Sequence, residues 1–148
     1  MSTEYLRSSS EEETIQLGKE FAQRLAPGDI VAFYGDLGSG KTEFVKGICR
    51  YFDVEEIVTS PTFTIMNQYT GSLDGDEVII FHIDLYRIKK PDELVEIGFT
   101  ECLNDDLAIK LIEWSEKAEF RNIQPTYSLK IKITGDDENE RIIEVTTY

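Results

Sequence analysis

The strongest chemical signal in the sequence is a glycine-rich segment that ends in lysine and threonine. Residues 35–42 read Gly-Asp-Leu-Gly-Ser-Gly-Lys-Thr and fit the pattern Gly-x4-Gly-Lys-Ser/Thr at every position. Gly35, Gly38 and Gly40 permit backbone conformations that turn successive amides inward, so the segment is expected to cradle an anion. The pattern therefore predicts a phosphate-binding loop that contains Ser39.

Lys41 and Thr42 close this loop and begin the segment that follows it. A helix starting near Lys41 directs the positive end of its dipole at the same place. We expect the Lys41 ammonium to reach the β and γ phosphates of a nucleotide and the Thr42 hydroxyl to ligate Mg²⁺. The two residues predict a mononucleotide site that works with magnesium.

A phosphate loop of this kind needs an acidic residue on a neighbouring strand to hold the metal, directly or through water. Two apolar runs are each followed directly by an acidic residue. Residues 78–83 precede Asp84, and residues 107–112 precede Glu113. In a doubly wound sheet both acids lie at the carboxyl ends of strands, where ligands bind. The pattern leaves open which one serves the metal, and an acid that simply faces water is the alternative for each.

Residues around Asp84 add further candidates. Strand alternation places His82, Asp84 and Tyr86 on one face of the chain. His82 could orient Asp84 or a water, although a histidine satisfied by a local hydrogen bond is the simpler interpretation. Arg87 could stabilise charge at a γ-phosphate or could pair with a surface acid.

Strands and helices must position these residues. Residues 29–34 and 107–112 are apolar runs typical of strands buried on both faces. Two hairpins are predicted, each from two strand-like segments around a turn cluster. They comprise residues 57–69 and 78–83 around 71–76, and residues 127–133 and 142–145 around 135–140.

Three helices are predicted between these strands. The first begins at a capping pair, Ser10 with Glu13 or, in the alternative register, Ser9 with Glu12. The others cover residues 41–52, with an apolar stripe, and residues 91–98, opened by proline and ended by glycine. We therefore expect one α/β domain over residues 1–148, a P-loop NTPase-like mixed sheet flanked by helices with antiparallel hairpin elements.

Composition excludes several classes of protein. The chain has 148 residues, 29 acidic against 15 basic, and a formal charge of −14, which argues against a protein that grips DNA or RNA by itself. No apolar run is long enough for a membrane span, and no secretory signal is recognisable, so a cytoplasmic protein with reduced cysteines is expected. A single histidine rules out a histidine-rich metal site. The guanine-reading motif Asn-Lys-x-Asp is absent from the sequence, which disfavours a typical small GTPase.

The motifs taken together resemble the TsaE (YjeE) family, the ATPase of bacterial tRNA threonylcarbamoyladenosine synthesis. The resemblance spans residues 11–114 and rests on six segments in family order. They are Tyr-Gly-Asp-Leu-Gly-Ser-Gly-Lys-Thr (34–42), Ser-Pro-Thr-Phe (60–63), His-Ile-Asp-Leu-Tyr-Arg (82–87), Pro-Asp-Glu-Leu (91–94), Glu-Ile-Gly (96–98) and Ile-Glu-Trp (112–114).

The resemblance implies an ATP- and Mg²⁺-dependent subunit that docks on a TsaB–TsaD heterodimer and meets tRNA only through that complex. It assigns magnesium to Thr42 and Glu113 and makes Asp84 a catalytic or switch residue beside the γ-phosphate. The other implied residues have supporting roles. They are a nucleotide contact at Thr14, a nucleotide-sensing segment with Ser60 and Thr62, and a site or partner role for Trp114. Ser39 and Glu43, inside and directly after the loop, are expected among its nucleotide-binding residues, although many members carry alanine and threonine there.

Two other functions stay open at this point. One is a nucleotide-dependent binding switch in which hydrolysis is incidental, and the other is a phosphotransferase for a small metabolite. The chain lacks a recognisable substrate-binding segment and its six arginines form no close cluster. We therefore rank a partner-stimulated ATPase first.

Overall fold

The computed structural model describes residues 1–36, 38–59, 66–117, 123–134 and 139–148. Within these ranges seven strands form one sheet and four α-helices lie beside it. The strands are β1 (Ser2–Ser8), β2 (Ile30–Tyr34), β3 (Met66–Leu73), β4 (Asp76–Asp84), β5 (Ala108–Glu113), β6 (Tyr127–Ile133) and β7 (Arg141–Thr147). The helices are α1 (Glu11–Phe21), followed by a 3-10 turn (Ala22–Arg24), α2 (Lys41–Tyr51), α3 (Asp92–Glu96) and α4 (Phe99–Leu103).

The sheet is mixed, as the sequence predicted. Its strand order is β1-β7-β6-β2-β5-β4-β3. Parallel pairing joins β2 to β5 and β6, and joins β4 to β5. The β3–β4 and β6–β7 hairpins and the β1–β7 pair are antiparallel. The α/β class and both hairpins are confirmed.

The central strands are covered on both faces. Every residue of β5 is buried, and Val31, Ala32 and Phe33 of β2 have no exposed surface. One core packs against α1 and α2 and contains Phe33 and Phe44, and a smaller core on the other face contains Leu94 of α3. Burial on both faces is the reason these strands appear as continuous apolar runs in the sequence.

Helix α1 begins where the sequence predicted. The Ser10 hydroxyl accepts the backbone N–H of Glu13 at 3.1 Å, so Ser10 is the N-cap. The Glu13 carboxylate accepts the backbone N–H of Ser9 at 2.6 Å, one residue before the position usual for a capping box. Of the two predicted registers, the one with Ser10 and Glu13 is confirmed.

Two glycines let α1 and α2 approach closely. A Cβ at Gly18 would lie 2.2 Å from the carbonyl oxygen of Phe44, and one at Gly47 would lie 1.9 Å from that of Ile15. Any larger residue at either position would force the helices apart. The close packing brings the first turn of α1 beside the loop that precedes α2.

The structure corrects the predicted turn before β4. Residues 71–73, expected in the turn, belong to β3, and Gly71 pairs with Val78. A Cβ at Gly71 would lie 2.3 Å from the Phe52 carbonyl oxygen, so this glycine serves a close approach of the α2 C-terminus. The turn itself consists of Asp74 and Gly75, both with positive φ, which matches the right-handed twist of a hairpin.

Two elements have no counterpart among the predictions. Strand β1 lies at the sheet edge and is exposed along most of its length, so no apolar alternation marks it. Helix α4 has five residues and begins directly after its N-cap Gly98, where the sequence predicted only an end to α3. Both elements are defined by neighbours distant in sequence or by a single turn, which hydrophobic periodicity cannot detect.

Some predictions fall outside the described residues. They concern residues 60–65 of the extended segment before β3 and residues 135–138 of the second hairpin loop. Within the described ranges, no helix is both long and apolar enough to cross a membrane.

Both cysteines are free and buried. Burial raises the pKa of Cys49 to about 12 and that of Cys102 to about 11. Because the thiolate is the reactive form, neither residue is suited to be a nucleophile. They serve as small apolar groups, Cys49 in the core beneath α2 and Cys102 in the core beside α3 and α4.

Candidate functional site

The glycine-rich loop joins the end of β2 to the start of α2. Gly35, Gly38 and Gly40 have φ values of 146°, 75° and 107°, a region that residues with a Cβ rarely adopt. A Cβ at Gly35 would also lie 2.5 Å from the carbonyl oxygen of Ile131 on β6. These three positions therefore require glycine for the reason given by the sequence pattern. Leu37 lies outside the described residues.

Lys41 lies buried at the first turn of α2. Its ammonium donates to the carbonyl oxygens of Gly35 and Asp36, the latter at 3.1 Å. It also lies 4.0 Å from the ring centroid of Trp114, in cation–π contact. Burial lowers the pKa of Lys41, and the negative charge of Glu113 and other nearby carboxylates partly opposes this shift. The lysine is thus placed at the loop that it was predicted to serve.

Thr42 and Glu113 meet beside the loop. The Thr42 hydroxyl lies 3.2 Å from each carboxylate oxygen of Glu113, which is buried at the end of β5. A hydroxyl and a carboxylate are the hard oxygen ligands that Mg²⁺ prefers. Among the described residues no group of three or more His, Cys, Asp or Glu could hold a metal alone.

Asp84 and Glu113 are register partners on neighbouring parallel strands. Both therefore lie at carboxyl ends of strands, at one edge of the sheet, as predicted. Only Glu113 reaches Thr42. Asp84 is half-buried, and its Oδ1 accepts the backbone N–H of Tyr86 at 2.9 Å, an interaction that shapes the turn after β4.

His82 contacts Glu113. Its Nε2 lies 2.5 Å from Glu113 Oε2, and its Nδ1 lies 3.3 Å from the Tyr69 hydroxyl. The side chain has no exposed surface. His82 therefore contacts the other carboxylate and not Asp84, and its partners lie on the neighbouring strands β5 and β3 and not nearby in the chain. The predicted contact with a water stays a prediction.

Trp114, which follows β5 directly, contacts Lys41 with its ring and also packs against Tyr86. The ring of Tyr86 lies 4.9 Å from that of Trp114, centroid to centroid. Trp114 has a φ of 60°, unusual for a residue with a large side chain. Tyr86 and Arg87 are exposed. Trp114 packs against Lys41 at the site, and its partner role stays a prediction.

Thr14 reaches the loop from α1. Its hydroxyl lies 2.7 Å from the Ser8 hydroxyl and donates to the Ser10 carbonyl at 3.1 Å. Its methyl group faces Gly40, at 3.6 Å from where a Cβ on that glycine would lie. Thr14 borders a cavity beside the loop, and Glu43 lies on the same cavity wall. The nucleotide contact expected at Thr14 stays a prediction, as does that at Glu43.

Arg141 is part of the site, and sequence reasoning missed it. Its Nε donates to the carbonyl oxygen of Ser39 at 2.8 Å, and its Nη2 donates to that of Gly38 at 3.2 Å. It lies about 100 residues from the loop in sequence, at the start of β7, in a region without a recognisable motif. No local signal could have linked it to the loop, since only sheet pairing brings it there.

Ser39 has a buried hydroxyl that makes no hydrogen bond within the described part of the chain. It lies 2.8 Å from where a Cβ on Gly35 would be, inside the loop. A buried donor of this kind is costly unless a partner is present, so its placement fits a loop built to meet an anion. Ser60 and Thr62 lie outside the described residues.

Comparison with known proteins identifies the family. The model of the family described as "Threonylcarbamoyl adenosine biosynthesis protein TsaE" matches residues 8–143. The chain belongs to the TsaE family. Its members are named for tRNA threonylcarbamoyladenosine biosynthesis, and the match covers the loop, both strand-end carboxylates and Arg141.

Individual TsaE proteins and a solved structure agree with this assignment. The chain is 42% identical to the tRNA threonylcarbamoyladenosine biosynthesis protein TsaE of Rickettsia conorii over 140 residues, 94% of this chain and 75% of that one. It is 36% identical to the Bacillus subtilis TsaE over 134 residues, 90% and 80% of the two chains. The crystal structure of Bacillus subtilis YdiB superposes with a TM-score of 0.77 at 32% identity, covering 99% of this chain and 86% of that one.

Proposed function

We propose that this TsaE protein binds and hydrolyses ATP with Mg²⁺ and thereby supports tRNA threonylcarbamoyladenosine modification together with a TsaB–TsaD heterodimer. The observation that carries the proposal is the meeting of Thr42 and Glu113, at 3.2 Å, beside a loop whose glycines have the conformations of an anion cradle. Such a loop beside a carboxylate at a strand end is the arrangement of P-loop nucleotide hydrolases.

The residues of the loop divide the work by their chemistry. Backbone amides between Gly35 and Thr42 bind the phosphates, and Lys41 neutralises charge that develops on them. Thr42 and Glu113 would hold the Mg²⁺ ion, which when bound would neutralise phosphate charge and orient the phosphates. Asp84, one strand away, serves as the residue that positions or activates the attacking water.

The partner proposal rests on the family and on charge. TsaE proteins are named for a tRNA modification, yet a chain with a formal charge of −14 is repelled by the phosphate backbone of tRNA. Docking on a protein partner with a basic surface resolves this conflict, since opposite charge steers association. The TsaB–TsaD pair, which completes the modification, is the partner that we propose.

The direct test is Mg²⁺-dependent ATP hydrolysis by the protein alone and with purified TsaB–TsaD. We expect slow turnover alone, clear stimulation by the pair, and loss of both with Lys41→Ala. Lys46→Ala, at a half-buried position of the same helix outside the loop, is the matched control and should retain turnover. Unchanged turnover in Lys41→Ala would contradict the assignment of the loop, and a pair that changes nothing would contradict the partner.

A further inference from the structure

A buried chain of hydrogen bonds leads from the Glu113 carboxylate into the sheet. Glu113 Oε2 lies 2.5 Å from His82 Nε2, and His82 Nδ1 lies 3.3 Å from the Tyr69 hydroxyl. The three residues are 2%, 0% and 3% exposed, respectively. Buried polar groups lose water as an alternative partner, so each of these contacts affects the others.

The direction of these hydrogen bonds follows from the donor inventory. An ionised carboxylate only accepts, so the hydrogen between Glu113 and His82 belongs to His82 Nε2. In the neutral imidazole Nδ1 is then an acceptor, and the Tyr69 hydroxyl can donate to it. That hydroxyl also accepts from Asn67 Nδ2 and donates to the carbonyl oxygen of Thr59, each at 3.4 Å. Its one hydrogen is therefore shared between Thr59 and His82 Nδ1, and the share that reaches Nδ1 supports the ring tautomer that donates to Glu113.

The contacts of Glu113 determine where its oxygens point. Oε2 is held by His82, while both oxygens lie at equal distance from the Thr42 hydroxyl. A quarter-turn of the carboxylate about the Cγ–Cδ bond would move Oε2 away from His82 Nε2 and break this contact. Carboxylates that bind metals are commonly held by such outer hydrogen bonds, and loss of these partners typically weakens metal affinity about 10- to 100-fold.

We propose that His82 and Tyr69 are positioning residues that hold the Glu113 carboxylate ready for Mg²⁺ beside Thr42. His82 acts directly on the carboxylate, and Tyr69 acts through His82. Because Tyr69 lies on β3, one of the two edge strands, the chain of hydrogen bonds connects this edge of the sheet to the Glu113 carboxylate. This inference rests on the magnesium site of the proposed function and adds residues to it.

The test compares ADP binding by calorimetry at graded Mg²⁺ concentrations and in EDTA. The quantity compared is the Mg²⁺ concentration at half-effect, at which the effect of Mg²⁺ on ADP affinity reaches half of its maximum. For His82→Ala we expect this concentration to rise about 10- to 100-fold. His82→Gln, which keeps an N–H donor, should recover part of this loss. For Tyr69→Phe we expect a rise of about threefold, the size of one neutral hydrogen bond. ADP affinity in EDTA should stay unchanged in all three variants.

Tyr127→Phe is the matched control. It removes the same atom from a tyrosine whose hydroxyl donates to the Arg24 carbonyl at 3.4 Å, at the opposite end of β2. An equal loss of ADP affinity with and without Mg²⁺ in His82→Ala would reduce His82 to a structural role and overturn the proposal. If Tyr69→Phe and Tyr127→Phe showed the same Mg²⁺ dependence of ADP binding, Tyr69 would have no part in positioning Glu113. If the unsubstituted protein itself bound ADP without any effect of Mg²⁺, the failure would lie in the proposed function.

Discussion

The ends of β4 and β5 carry the same kind of residue in very different surroundings. Asp84 and Glu113 are register partners, and each follows an apolar strand. Asp84 is half-buried and accepts a hydrogen bond from the backbone of the next turn. Glu113 is buried between the Thr42 hydroxyl and the His82 ring. Equal positions in the sheet thus give unequal chemistry, because the neighbouring elements differ.

The difference has a physical cause. α2 follows β2, which pairs with β5 and not with β4, so the helix start lies over the end of β5. A carboxylate at the end of β5 contacts Thr42 of the loop, whereas a carboxylate at the end of β4 lies one strand farther from the loop. The buried acid is suited to hold a metal in a fixed place, and Asp84 is the more exposed of the two acids. Substitutions of the two acids test this difference, and substitutions of Arg141 and Thr42 test the groups around them.

The largest effect is expected for Glu113→Gln. Loss of the negative ligand should lower kcat/KM for ATP, measured with TsaB–TsaD present, by about 1000-fold, since metal-borne charge stabilisation amounts to several kcal/mol. Glu77→Gln, an exposed acid on β4, is the control and should change the rate less than twofold, the size expected of an isolated surface charge. A loss below tenfold in Glu113→Gln would place the metal acid elsewhere, with Asp84 as the next choice.

Asp84→Asn should show the opposite pattern. We expect kcat to fall about 100-fold, the usual contribution of a group that positions or activates water. The Mg²⁺ dependence of ADP binding should stay as in the unsubstituted protein, because Thr42 and Glu113 are untouched. If ADP binding by Asp84→Asn instead required more Mg²⁺, Asp84 would share the metal role that we give to Glu113. If tRNA modification survived in this variant, hydrolysis would be incidental and a binding switch would become the better description.

Arg141→Gln should show a third pattern. It loses charged hydrogen bonds to two loop carbonyls, so ADP affinity should fall about tenfold both with Mg²⁺ and in EDTA. Arg50→Gln, which loses only an exposed ion pair with Glu12, is the control and should leave affinity unchanged. A loss seen only with Mg²⁺ would instead assign Arg141 to the metal site. Calorimetry on both variants separates these outcomes.

The smallest effect is expected for Thr42→Ser. It keeps the hydroxyl that meets Glu113 and removes one methyl group, so the Mg²⁺ concentration at half-effect should change less than about threefold. The free energy of unfolding should fall by no more than about 1 kcal/mol, the value of one buried carbon. Thr42→Val has nearly the same shape without the hydroxyl and should lose Mg²⁺ dependence. Similar results for serine and valine would show that the hydroxyl is not a ligand.

Much of the fold was predictable because its signals are local. The apolar runs of β2 and β5, the helix after the loop and the Ser10 cap each depend on neighbours within a few residues in sequence. The edge strand β1 and the far end of β3 were missed, since their strand conformation comes from pairing and from close approach at Gly71. A glycine in a sequence can mark a turn or a close contact with another segment, and the sequence alone does not distinguish the two.

For this protein the sequence alone determined the phosphate-binding pattern, the α/β class and two candidate acids, because each follows from residue type and short-range spacing, and the resemblance to TsaE favoured Glu113 of the two. Tertiary structure placed Glu113 against Thr42, turned His82 toward Glu113, and brought Tyr69 and Arg141 to the site. These contacts join strands separated by tens of residues, so they depend on sheet order and packing. That order is fixed by burial across the whole chain, which no short stretch of sequence contains.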